Sequence, residues 1–428
     1  MSVPHRSWRI AIAVAIVVWL ILAFRLMIAD VWDETNGLLF FGADTMSLRE
    51  KVHFALTQPL GFWRPLPTLL AALVLHTVPD FDLSWRVMRG INAAMLLGTL
   101  ALMLALLRRC RPEDDVPAGS GPREASLTIA FLFSGSAFIT VGWYANVFDA
   151  AALLFIAGGL LLLIRGRDLA AGVLIGIAFF CKETAILALP FLLMLFAAGR
   201  ITLRQTLRGG IPAALAGAIY FAIRSTIVPF GSAADVHGFA AHELWPTVVN
   251  FGESFWRQTL KGSGPGVAGF LWLALGLAAL RRPRLIVATL PFFAASCLIY
   301  WGMFSEWQNG VLIHHLNFVG RLYLVPVTLM LLLLALERRT IAIAALCIPI
   351  VYGAFTTWRD HFRFQETYAH IYRLGANAAE PITVHYPPKP LEDAVRGVRI
   401  GDYPDAGLHI DAKSGELLPS AAGTNRAP

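Results

Sequence analysis

The sequence is short of charge, of cysteine and of lysine, and each shortage excludes something. Charged residues make up 15% of its 428 residues, where a soluble globular chain carries about 25%. A string of soluble domains, which the length alone would suggest, is therefore excluded. Four cysteines occur, Cys110, Cys181, Cys297 and Cys347. None belongs to a CxxC pair and three lie in or beside apolar runs, which fits neither a disulfide framework nor a zinc site. They read as small packing residues. No repeat of the solenoid or inverted-transporter kind is visible. The net charge of +7 is not gathered into one basic patch on a polar fold, so no nucleic-acid partner is expected.

What the sequence has in quantity is apolar residues, 57% of the chain. They fall in runs of roughly 15 to 22, the length needed to cross about 30 Å of hydrocarbon. The expected spans are about 8–28, 86–107, 125–142, 147–164, 168–181, 184–199, 210–228, 267–280, 285–302, 321–336 and 340–358. The first follows His5-Arg6-Ser7-Trp8-Arg9 and is too long for a cleaved signal, so it reads as an uncleaved span. Basic residues set the orientation. Arginines at 6 and 9, at 108, 109 and 111, at 165 and 167, at 200, 204 and 208, at 281, 282 and 284, and at 338 and 339 mark every second connection. The sequence therefore predicts an all-α polytopic membrane protein of about eleven spans, with its N-terminus inside and its C-terminus outside. The segment 64–80 breaks the alternation as a span and is expected as an interfacial helix of the first outer loop, about 29–85. Residues 1–358 form the membrane module. Residues 359–428, rich in proline and glycine, form a small outer tail.

Few charges enter such a chain without a task. Asp30, Asp33 and Glu34 follow the first span, and a carboxylate there suits a general base or a metal ligand. Arg64 precedes Pro65, which holds it extended ahead of a helix N-terminus, a favourable place for an anion. Arg86 and Arg89 open the second span and suit lipid phosphates. Trp143 to Asp149 lead into the fourth span, where the Asp149 carboxylate needs a partner. Lys182-Glu183 interrupts an apolar stretch. Lys182 suits a phosphate as a point charge, and Glu183 suits fixing that lysine or capping the next helix. All five lysines, at 51, 182, 261, 389 and 413, lie on the expected outer side. His314 and His315 are adjacent and make a poor metal pair. Arg321, with Tyr323 near it, opens the tenth span at its outer edge and suits a phosphate headgroup.

Trp32-Asp33-Glu34, Arg64-Pro65-Leu66, Trp143 to Asp149, Lys182-Glu183 and Arg321-Leu322-Tyr323 occur in this order on one expected membrane face. In order and spacing they resemble the membrane-embedded GT-C glycosyltransferases, the group of protein O-mannosyltransferases and aminoarabinose transferases. The resemblance covers nearly all of residues 8–358. It implies a GT-C-like bundle and an inverting transfer of sugar from a polyprenyl-phosphate donor, such as undecaprenyl phosphate carries, to an acceptor hydroxyl. Asp33 would be the base, with Glu34 orienting it or a divalent cation, magnesium or manganese. Arg64, Lys182 and Arg321 would hold the donor phosphate, supported by Glu183, Asp149, Tyr323 and His315. The acceptor would be a protein, a glycan or a lipid of the cell envelope. The setting would be a bacterial inner membrane with a periplasmic site. The late motif reads Gly320-Arg321-Leu322-Tyr323, without the Arg-Tyr neighbours common in relatives, and the tail is short beside relatives with large outer domains. Two other classes fit the composition. One is an oligosaccharide ligase or polymerase using a diphosphate-linked glycan, which would need larger outer loops. The other is a lipid or solute transporter, which would place charges nearer the midplane.

Overall fold

The apolar runs become helices. The computed structural model describes residues 5–28, 47–57, 63–78, 81–110, 121–142, 146–227, 283–299, 306–308, 311–313, 324–337, 408–410 and 417–419, with residues 340, 343–344, 347, 350–351 and 358. In chain order the helices are α1 (His5–Ile28), α2 (Leu48–Thr57), α3 (Pro65–Thr77), α4 (Phe81–Arg109), α5 (Gly121–Leu132) and α6 (Gly135–Gly142). They continue as α7 (Val147–Ile164), α8 (Asp168–Phe179), α9 (Ala188–Ala197), α10 (Leu203–Ile227), α11 (Pro283–Ile299) and α12 (Leu324–Leu336). A 3-10 turn, Glu183–Leu187, runs straight into α9. Two antiparallel pairs of three-residue strands are the exceptions, Glu306–Gln308 with Val311–Ile313 and, in the tail, Leu408–Ile410 with Leu417–Pro419.

The chain is an integral membrane protein. At 1.5 Å per residue a span needs about twenty residues. Ser7–Ile28, Leu83–Arg109, Val147–Ile164 and Leu203–Ile227 are long and apolar enough, and α5 with α6 makes a fifth if their 49° bend is one broken span. The surface is inside out for water. Ile21, Leu169 and Val287 are each about two-thirds exposed (65%, 68% and 67%), which lipid accommodates at no cost. Of the expected spans, 267–280 lies outside the described residues, and the helices at 168–179, 188–197 and 324–336 are short. The segment at 64–80 carries α3, thirteen residues or about 20 Å, too short to cross alone.

Glycine sets how closely the central helices pack. A Cβ on Gly98 would meet Leu154 at 3.1 Å, and one on Gly158 would meet Leu174 at 2.9 Å and Leu102 at 3.8 Å. Helices α4 and α7 thus run parallel, since 98 faces 154 and 102 faces 158. Gly172 faces the Gly209 carbonyl, Gly176 faces Ala216 and Gly217 faces the Phe179 ring, so α8 and α10 are parallel too.

These directions gather the arginine-rich connections at one end. Arg108 Nη2 meets Glu124 at 3.0 Å and Arg200 Nε meets Glu337 at 3.1 Å. Gln205 Nε2 donates to the Leu163 carbonyl at 3.0 Å. Helices α7 and α9 stop there in the same way, each with a left-handed glycine, Gly166 at φ 74° and Gly199 at φ 69°. Gly166 N–H donates to Leu163 and Arg167 N–H to Leu162; Gly199 N–H donates to Phe196 and Arg200 N–H to Leu195. This is the Schellman ending, and only glycine takes its conformation without strain. Two capping boxes start helices. Thr202 and Gln205 exchange bonds at the head of α10, and Ser47 and Glu50 do so at α2, where the Ser47 bonds hold the Glu50 carboxyl below its usual range.

Candidate functional site: a buried quartet of charges

At the opposite end, α8 stops at Phe179 and the chain turns. The N–H groups of Cys181 and Lys182 both donate to the Ala178 carbonyl at 3.0 Å, and Lys182 itself is extended, at φ −164° and ψ 144°. Successive side chains on extended backbone point apart. Lys182 and Glu183 accordingly reach different partners. The Lys182 ammonium pairs with Asp149 Oδ2 in the first turn of α7. The Glu183 carboxylate takes Arg64 in a two-pronged grip, Nε to Oε2 at 3.0 Å and Nη2 to Oε1. All four side chains are buried, none more than 10% exposed.

Arg64 stands where the chain enters α3. Its backbone, at φ −136° and ψ 71°, is outside the helical region, as a following proline requires. An aromatic wall holds it. The Trp63 ring stacks on Tyr220 at 5.6 Å and meets Phe180 edge-on at 6.0 Å. Tyr220 Oη donates to the Trp63 carbonyl at 2.7 Å. The Arg64 guanidinium lies over Phe148, 5.0 Å from the ring centre, a cation–π contact worth on the order of 1 kcal/mol.

Burial disfavours all four charges, and pairing makes them tolerable. The two pairs act as one group, because Arg64 feels Asp149 as well as Glu183, and Lys182 feels Glu183 as well as Asp149. Asp149 Oδ1 and Thr184 Oγ1 are buried polar atoms with no hydrogen-bond partner among the described residues. The first is an acceptor and the second a hydroxyl that can donate or accept.

Arg64, Asp149, Lys182 and Glu183 are thus brought together. Asp33, Glu34, His315, Arg321 and Tyr323 lie outside the described residues. Three expectations are corrected. Glu183 holds Arg64 rather than Lys182, because the extended residue 182 turns the two side chains apart. The N-terminus of α3 is already engaged, with Leu66 N–H donating to the Phe180 carbonyl at 3.2 Å, so that N–H is not open to an anion. Arg89 is buried and donates to the Leu26 carbonyl at 3.2 Å, which ties α4 to α1 instead of facing lipid. Tyr220 and Arg224 were not singled out from the sequence. The signal is there: Thr206, Gly209, Ala213, Gly217, Tyr220 and Arg224 are the buried stripe of α10, spaced by three and four.

No three His, Cys, Asp or Glu side chains among the described residues stand close enough to hold a metal ion. No family model, curated protein or solved structure matches the chain.

Proposed function

We propose that this protein is an inverting glycosyltransferase of the GT-C type, moving a sugar from a polyprenyl-phosphate donor to an acceptor hydroxyl. The observation that carries the reading is the quartet: four charges from three distant sequence motifs, buried together at the helix ends opposite the arginine-rich turns. Charges at this depth are retained for a ligand or a relay rather than for stability. Two of them are cations, one planar and two-pronged, one a point charge. That pairing suits a phosphate.

In this reading the donor phosphate sits against Lys182, Arg64 and Arg321, with its lipid tail among the helices. Asp33 takes the proton of the acceptor hydroxyl, with Glu34 orienting it. The acceptor oxygen attacks the anomeric carbon from the face opposite the phosphate, and the carbon–phosphate-oxygen bond breaks with its electrons leaving on the phosphate. The transition state is oxocarbenium-like, as in glycoside hydrolysis. Charge grows on the leaving oxygen, and a cation fixed beside it lowers the barrier by about 3 kcal/mol. In this reading the site lies on the periplasmic face of a bacterial inner membrane, an orientation that the arginine positions in the sequence support. Protein, glycan or lipid acceptors remain alike in this chemistry.

Reconstitution in liposomes with a polyprenyl-phosphate sugar tests the reading. Asp33→Asn is expected to abolish donor turnover while thermal unfolding stays as in the parent. Full turnover in that variant sinks Asp33 as the base. No turnover in the parent with any polyprenyl-phosphate sugar or acceptor class would count against the enzyme itself.

A further inference from the structure

The Lys182–Asp149 pair is the looser half of the quartet. Glu183 holds Arg64 with both of its oxygens. Asp149 holds Lys182 with Oδ2 alone. Its Oδ1 is also buried and has no hydrogen-bond partner among the described residues. Asp149 stands in the first turn of α7 and Lys182 in the turn after α8, and the two side chains are only 1% and 4% exposed. Among the described residues the Asp149 carboxylate bonds to Lys182 and to nothing else. Glu183 is thus a two-pronged anchor, and Asp149 is a counterion to one ammonium.

A carboxylate oxygen on that ammonium stands where an oxygen of an incoming phosphate would stand, since both accept from the same donor group. Both cations feel Asp149, Lys182 by contact and Arg64 through space. The four charges sum to zero, so a phosphate brings a net negative charge into a buried place. Its oxygens and the Asp149 carboxylate repel, and the repulsion grows with the charge on the phosphate. That charge changes during the proposed transfer. The donor is a phosphodiester with a single negative charge. The phosphate left behind is a monoester, which carries about −1.5 to −2 at neutral pH. A site of cations alone would hold this product harder than the donor. We propose that Asp149 is an internal counterion that competes with the lipid phosphate for Lys182, and that it turns the site against the phosphate monoester left after transfer. This rests on the reading above that Lys182 receives a lipid phosphate, and adds to it the means by which the site is cleared.

The test titrates full-length protein in nanodiscs with polyprenyl phosphate, its methyl ester and polyprenol, all of one chain length. The pH is about 8, above the second phosphate pKa of about 6. Asp149→Asn keeps the shape and removes the competing charge. It is expected to bind polyprenyl phosphate tighter than the parent by about tenfold or more, the methyl ester tighter by a smaller factor, and polyprenol as the parent does. Asp149→Glu is expected to return parent values. Damage to packing would weaken binding, so a gain separates competition from a structural role. A monoester affinity that stays or falls in Asp149→Asn overturns the inference, and so does an equal gain for the two esters. The substitution leaves Lys182 without its counterion in the empty protein, which is destabilising. Should Asp149→Asn not survive extraction, it is extracted with each lipid present. Recovery by polyprenyl phosphate beyond that by polyprenol bears the inference out, and equal recovery or none overturns it. Lys182→Gln and the parent run alongside. No preference for phosphate over polyprenol in the parent removes the anion site and the inference together. A preference that Lys182→Gln abolishes and Asp149→Asn does not raise removes the competitor and leaves the anion site standing.

Discussion

Lys182 and Glu183 are neighbours in the chain, yet their ion-pair partners lie far apart in it, Asp149 for the first and Arg64 for the second. One extended residue therefore ties the turn after α8 to α7 on one side and to the entry of α3 on the other.

Removing one member of a buried pair leaves the other uncompensated, at about 3–5 kcal/mol. Lys182→Ala and Asp149→Ala are each expected to lower the thermal midpoint clearly in detergent. The double replacement by apolar residues of similar size, Lys182→Met with Asp149→Leu, is expected to regain much of the loss. Additive losses across that cycle would show that the two side chains do not act on each other.

Arg64 does a job lysine cannot copy. Its guanidinium gives two parallel bonds to Glu183 and lies over Phe148. Arg64→Lys keeps the charge and loses both geometries. We expect its stability and its affinity for polyprenyl phosphate to fall most of the way to those of Arg64→Ala. Parent-like values in the lysine variant would show that charge alone is what the position supplies.

Two glycines, one on α4 and one on α8, should respond in opposite directions. A Cβ at Gly90 meets nothing within 4 Å, so Gly90→Ala is expected to raise the thermal midpoint through helix propensity, by up to about 1 kcal/mol. A Cβ at Gly172 meets the Gly209 carbonyl, which is backbone and has no rotamer to move to. Gly172→Ala is expected to force α8 from α10 and to lower the midpoint. Matching midpoints for the two variants would contradict the packing.

Acid should loosen α2 before the central helices. The Ser47 bonds favour the charged form of Glu50 and hold its carboxyl below the usual range. The depressed folded value means that this contribution is complete above the ordinary carboxylate range of about 4.3. It is lost as pH falls through the lower folded value. Hydrogen exchange over residues 48–57 is expected to quicken in that window, and Ser47→Ala to show the quicker exchange already at neutral pH. Exchange in the parent that is flat across the window would remove the capping box as a source of order.

The two helix-end populations also predict labelling. On a cysteine-free background, Arg165→Cys at the arginine-rich end and Thr226→Cys beyond Arg224 should react with an impermeant maleimide from opposite faces of the membrane. Labelling of both from one face would undo the assignment of ends.

Much of this site is legible in the sequence, for a physical reason. Arg64, Asp149, Lys182 and Glu183 are charges in or beside apolar runs, and such charges must find partners. Which partner each finds is not legible. Glu183 beside Lys182 reads as a local pair, and only the extended backbone at 182, set by the end of α8, sends them apart. The arginines mark the turns of one end in the sequence. The glycines that close those turns, Gly166 and Gly199, are ordinary letters until their left-handed conformation is seen. Arg224 is hidden for the opposite reason. It stands in an apolar run at an edge where arginines commonly reach for lipid headgroups, and its burial appears only once the stripe from Thr206 is set against α8.

The quartet has a consequence for biosynthesis. Its members fall between residues 64 and 183, and α10, whose Tyr220 bonds the Trp63 carbonyl next to Arg64, ends at Ile227. Every one of these groups is present on the nascent chain before α11 has been translated. The four charges can therefore neutralise one another while the ribosome is still adding the second half, and no bare carboxylate or ammonium need wait in the bilayer for a later helix to arrive.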